Sequence, residues 1–224
     1  MNYLAIVVHH LRKDLRLEWR SRDAINGMVF FSLLVVVVFS MAFDPTAAVS
    51  RQIAGGVLWV AILFAATTAL NQTWTRELRN HVLDAQRLSP SPPSAMFLGK
   101  ALANLLFVTV IEIVLAPIFK VFYNLHPLGD GWLLAIILPL GTWALVVNGT
   151  FFAALGLRSR NRELLLPLVL FPISLPALLA MVQATTAVLT AEFDPGLWVR
   201  MLAGYDLIFT TLCILLFETV LNAE

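Results

Sequence analysis

With one cysteine, Cys213, in 224 residues, the chain can form no disulfide within itself, and thiol redox pairing is excluded. Its place inside an apolar run reads as a small buried residue. Charge is scarce too: 13% charged residues against 59% apolar leave far too little polar surface for a soluble core of this size. The four histidines, His9, His10, His81 and His126, show no metal-ligand spacing. No serine, threonine or cysteine has a base at matching spacing, so the sequence carries no catalytic and no metal site. The Gly99-Lys100 pair is not a phosphate-binding loop, because Ser94 stands where that motif needs Gly and Ala101 where it needs Ser or Thr. Positive charge is missing from alternate loops. Of the 15 lysines and arginines, all but Arg51, Lys120 and Arg200 lie in three segments: Arg12, Lys13, Arg16, Arg20 and Arg22; Arg76, Arg79, Arg87 and Lys100; and Arg158, Arg160 and Arg162.

Long apolar runs are what the chain has. They cover 24–43, 53–70, 101–123, 132–157, 164–190 and 200–221, each close to the ~20 residues that cross ~30 Å of hydrocarbon as a helix. Lipid offers no hydrogen-bond partners, so spans of this length must be helical, and the short alternating strands of a barrel are absent. The predicted fold is all-α, a polytopic membrane protein of six spans forming a single domain over 1–224. By the positive-inside rule the arginine-rich segments and both termini are expected in the cytoplasm. The same asymmetry accounts for the basic residues without nucleic acid. The N-terminus is not expected to be a cleaved signal, since its apolar stretch is short and a dense charged segment follows it.

Before the first run, Leu4, Val7, Val8, Leu11, Leu15 and Trp19 recur at helical spacing, with Arg12, Arg16 and Arg20 on a neighbouring stripe. Residues 1–22 are thus expected to form an amphipathic interfacial helix in the cytoplasmic headgroup layer, its basic residues toward anionic lipid, or a plain positive-inside anchor. The longest polar segment, 71–100, carries a short helical stretch with Leu78, Val82 and Leu83 apolar, stopped by Ser89-Pro90-Ser91-Pro92-Pro93. It is either a solvated connector or a helix that plugs into a partner.

Polar residues within the spans stand out. Glu112 falls mid-span, where a carboxylate is costly; it serves coupling or substrate passage, or a structural hydrogen bond to Asn104, Asn148 or another chain. Lys120, about 12 Å further along the same helix, is expected to snorkel. Pro167, Pro172 and Pro176 crowd the fifth span and predict a kink or local break, either a hinge or path lining or a static feature satisfied by packing. Ala61, Ala65 and Ala69 offer a small face for close helix contact.

The stretch Leu83-Asp84-Ala85-Gln86-Arg87-Leu88-Ser89-Pro90, with Gly99-Lys100 entering the third span, resembles the cytoplasmic loop of ABC type-2 permeases. More narrowly it resembles the CcmB family of haem exporter membrane subunits of cytochrome c maturation. So do Arg16-Leu17-Glu18-Trp19-Arg20-Ser21-Arg22, Gly55-Gly56-Val57-Leu58-Trp59-Val60-Ala61 and Leu170-Phe171-Pro172-Ile173-Ser174-Leu175-Pro176, in register with the six runs. Where the family favours Asp-Gly before the Leu-acidic pair, this chain has Asn80-His81 and then Val82.

The resemblance implies a permease subunit in the bacterial inner membrane, forming a homodimer and coupling ATP hydrolysis on a separate ATPase to haem export or to release of a haem-loaded chaperone. A permease for a lipid or drug and a non-transporting relay or scaffold subunit are the alternatives. ATPase coupling is expected at Arg76, Glu77, Arg79, Val82, Leu83, Asp84, Arg87, Ser89 and Pro90. Haem is then a handled substrate rather than a bound cofactor, ATP sits on the partner, and haem-handling membrane proteins are further partners. His126, beside Pro127 on the outer face, reads as polar surface rather than as a haem ligand.

Overall fold

The computed structural model describes residues 2–21, 23–43, 47–74, 77, 91–123, 128–158 and 162–222, and these are helical apart from short turns. The helices are α1 (Tyr3–Ser21), α2 (Asp23–Ala42), α3 (Ala47–Gln72), α4 (Pro93–Phe122), α5 (Leu134–Leu155), α6 (Arg162–Thr190) and α7 (Gly196–Asn222). Two 3-10 turns, Gly131–Leu133 and Gly156–Arg158, flank α5. From α2 to α7 all six helices are long and apolar enough to cross a bilayer, as the hydropathy runs predict, and α1 stands apart from them.

Small residues let the spans approach closely. Ala61, Ala65 and Ala69 of α3 are buried, and a Cβ placed on Gly141 of α5 would come within 2.2 Å of the Trp59 ring. Only glycine fits there. The indole held against that gap donates from Nε1 to Thr185 Oγ1 on α6, at 2.9 Å. Outward faces carry exposed Val38, Ile113, Leu168, Leu207 and Leu215, the surface that a bilayer covers.

The third span differs from its hydropathy run at one end. α4 begins at Pro93, not at 101, and its 30 residues extend about 45 Å, well beyond ~30 Å of hydrocarbon. Pro93 suits a first helical turn, where its missing N–H is no loss. The turns from Pro93 to Lys100 lie beyond the hydropathy run and are packed at one end of the bundle, where Met96 and Phe97 are buried with Phe151 of α5 and Phe217 of α7.

α1 docks along those first turns of α4. Tyr3 Oη donates to Ser94 Oγ at 3.2 Å, and Asp14 meets Lys100. Its apolar stripe is divided: Val7 is buried and Leu11 and Leu15 pack on the core, while Leu4 and Val8 are exposed. Gly99 makes this contact possible. A Cβ on it would lie 2.6 Å from His10 Cβ and 3.0 Å from the Val7 carbonyl.

α6 runs through Pro167, Pro172 and Pro176 as one helix without a break. Each proline still lacks a donor, leaving the carbonyl four residues earlier free of its helical partner.

Candidate functional site

Four charged side chains close into a ring where α1, α4 and the end of α3 meet. Lys100 Nζ lies 3.1 Å from Asp14 Oδ2 and 2.9 Å from Glu77 Oε2; Lys13 lies 3.2 Å from Asp14 Oδ1 and hydrogen-bonds Glu77 Oε1. Signs alternate around it, so each carboxylate meets two ammonium groups and the ring neutralises itself. Lys100 also donates to the Thr73 carbonyl at 3.2 Å and sits 4.6 Å from the centre of the Trp74 ring. That indole is fixed in turn, donating to the Thr150 carbonyl at 3.0 Å and stacking on Phe217.

Burial makes the ring costly to disturb. Lys100 is 3% exposed and Glu77 5%, and charges removed from water are repaid only when every lone pair and proton is met. Lys13 shows the balance: burial pulls its pKa down, yet Asp14 and Glu77 outweigh that and hold it above the ordinary lysine value.

His10 borders the ring with its Nδ1 buried and without a partner among the described residues. Burial first, and then the nearby positive charge of Lys13, lowers its pKa from 6.5, with Lys100 acting in the same sense against Asp14 and Glu77. A base with a lowered pKa in the docked state favours docking fully above 6.5, and the contribution is lost as pH falls from 6.5 toward the depressed value. The protection of α1 amides, taken relative to their intrinsic exchange rate at each pH, is thus expected to fall between pH 7.5 and pH 5.5, and His10→Phe, which cannot be protonated, should flatten that dependence. An equal fall in protection in both proteins would place the effect elsewhere.

Of the residues expected to contact an ATPase, Glu77 is described and sits in the ring. Arg76, Arg79, Val82, Leu83, Asp84, Arg87, Ser89 and Pro90 lie outside the described residues, as does His126.

Within the bundle, Glu112 accepts a hydrogen bond from Thr142 of α5 through Oε1. Neither asparagine serves it: Asn104 donates to Thr150 at 3.0 Å and accepts from Thr73, and Asn148 donates to Tyr205 Oη at 2.8 Å. Glu112 lines a cavity of about 210 Å³ whose walls include Leu58, Phe119 and Leu138, with Lys120 and Thr185 as its other polar groups. Tyr205 Oη donates a hydrogen bond to the Ile173 carbonyl at 2.9 Å, between Pro172 and Pro176. The proline-rich helix is therefore tied to α5 and α7 at that height.

Lys13, Asp14 and Asp206 were not anticipated as site residues. Asp14 breaks the buried stripe of Val7 and Leu11 at helical spacing, and a charge on an apolar face signals a buried partner. Asp206 is 7% exposed in the middle of α7, and both its oxygens lack partners among the described residues. The rule that singled out Glu112 applies to it equally. No cluster of metal-ligating side chains is found among the described residues.

Six crossing helices, an added amphipathic helix and a buried ionic clamp at one end define a multi-pass membrane protein with a braced surface element. The chain belongs to the CcmB family, whose model, described as "CcmB protein", matches residues 5–222. It is similar to "Heme exporter protein B" of Rhodobacter capsulatus, 34% identical over 170 residues covering 75% of this chain and 77% of that protein. The proteins of the same description from Bradyrhizobium diazoefficiens and Pseudomonas aeruginosa are each 29% identical, covering 88% and 91% of this chain and 89% and 92% of theirs.

Proposed function

We propose that this chain is the membrane permease subunit of an ABC-type haem exporter serving cytochrome c biogenesis, driven by a separate cytoplasmic ATPase. It works as a homodimer in the bacterial inner membrane with both termini in the cytoplasm. The observation that carries the reading is the ring that ties Glu77, at the root of the loop between α3 and α4, to α1 and α4. A force applied to that loop meets two helices at once. The basic residues flanking the loop agree with a cytoplasmic position. The cavity beside Glu112, at about 210 Å³, falls below the ~300–1,000 Å³ of ordinary small-molecule sites. That observation favours a second version, in which ATP turnover releases a haem-loaded chaperone and haem does not pass through one copy of this chain.

The test uses Leu83→Ala combined with Asp84→Lys, both in the loop and neither in a span. If the loop enters a cleft on the ATPase, truncating Leu83 removes contact worth roughly 1–3 kcal/mol. ATPase recovered by pull-down, or cytochrome c made per ATP, is expected to fall while membrane insertion stays normal. Wild-type values for both would make the loop a passive connector. Haem flux in vesicles holding the purified assembly separates the two versions, since release without flux belongs to the relay alone.

A further inference from the structure

The ring leaves part of the positive charge of α1 unanswered. Lys13 and Lys100 are matched by Asp14 and Glu77. Arg12 and Arg16, one turn apart, are exposed, and neither has an ion-pair partner among the described residues. With His9, Lys13 and Leu17 they line an open cleft of about 410 Å³. Two guanidinium groups and an imidazole thus converge on one space with no acidic residue in its lining.

The height of this cleft follows from the ring. Asp14, between the two arginines in sequence, lies 3.1 Å from Lys100, the residue just before the apolar run from 101. The cleft therefore faces the layer where hydrocarbon gives way to headgroups, a layer roughly 5–8 Å thick on each side. Guanidinium groups bind phosphate oxygens in bidentate fashion, which an ammonium cannot do. Leu17, 44% exposed, adds an apolar wall one turn further toward the start of α2. A ligand with a phosphate at one end and hydrocarbon at the other meets each of these groups.

We propose that His9, Arg12 and Arg16 form a binding site for the headgroup phosphate of an anionic phospholipid in the adjoining leaflet, with its glycerol and first acyl carbons passing Leu17. The bound lipid braces α1 on the side away from α4. This site does not depend on the ATPase reading, because it follows from charge and depth alone.

The experiment takes the purified complex in nanodiscs and measures spin-labelled phosphatidylglycerol against spin-labelled phosphatidylcholine, with inorganic phosphate as a soluble competitor. Wild type is expected to prefer phosphatidylglycerol, and Arg12→Gln with Arg16→Gln to lower that preference about twenty-five-fold, about fivefold for each arginine. Arg12→Lys with Arg16→Lys keeps the charge but not the bidentate hydrogen bonds, so its preference is expected to fall between wild type and the glutamine pair, which guards against a loss caused by misfolding. An unchanged preference in the glutamine pair would overturn the proposal. So would displacement of the lipid by inorganic phosphate, which would make this a site for the free ion. Loss of ATPase from the glutamine pair with lipid preference intact would assign the arginines to the partner protein and likewise overturn it.

Discussion

Lys100→Met is expected to destabilise the protein by about 3–5 kcal/mol, the range for removing one partner from a buried ionic network. Methionine nearly conserves the side-chain volume, so packing around Trp74 and Phe97 should survive. What goes is charge. Asp14 and Glu77 would then share Lys13 alone, and the Thr73 carbonyl would lose its donor. The temperature at which half the purified protein leaves solution is the readout. Neutralising the stranded carboxylates in the same chain, as Asp14→Asn with Glu77→Gln, should recover part of the loss, because residues in one network are not additive. If Lys100→Met melts like wild type, or the triple variant recovers nothing, the ring contributes no more than a surface ion pair.

Gly99→Val should open the same contact by shape, leaving every charge in place. Its nearest obstacles are His10 Cβ, the Val7 carbonyl and the Leu11 backbone nitrogen, at 2.6, 3.0 and 3.3 Å from the position a Cβ would take. None of these can rotate aside, so α1 must shift. Overpacking of this kind costs about 1–3 kcal/mol, and the upper end is expected where backbone is in the way. Alanine at the same site gives a sharper comparison, since Gly→Ala inside a helix would otherwise stabilise by about 1 kcal/mol. Both variants should show faster amide exchange in α1 than wild type, valine more than alanine. Unchanged exchange in Gly99→Val would mean that α1 and α4 do not pack as closely as these distances state.

The span architecture was legible because hydropathy is a property of neighbours in the chain, and a run of about 20 apolar residues has few other uses. Lys100 and Gly99 illustrate what was not legible. As a pair in sequence they suggested a nucleotide loop, and the missing Ser or Thr ruled it out; their use lies in packing against residues more than eighty positions earlier, Asp14 and His10. No local pattern announces a partner at that separation. Asp14 did leave a trace, as a carboxylate on an otherwise apolar stripe. The pairing of Glu112 with Thr142 followed neither suggested asparagine, because both were already committed, Asn104 to Thr73 and Thr150, and Asn148 to Tyr205. Pro167, Pro172 and Pro176 suggested a kink or a local break, and of these α6 shows no break. Missing donors do not by themselves interrupt a helix packed against neighbours on one side, and Tyr205 anchors this one at Ile173.

Glu77 joins the loop to both helices, and its replacement by glutamine tests that role most directly. Glu77→Gln keeps the shape and a hydrogen-bonding oxygen while removing the charge that faces Lys13 and Lys100. In the purified complex, cytochrome c matured per ATP hydrolysed should be measured beside the amount of ATPase bound. The expected result is ATPase retained at wild-type level with a yield per ATP several-fold lower, because the loop would pull on α1 and α4 through a loosened joint. A wild-type yield per ATP in Glu77→Gln, with the protein folded and the ATPase bound, would contradict the claim that this clamp carries the work.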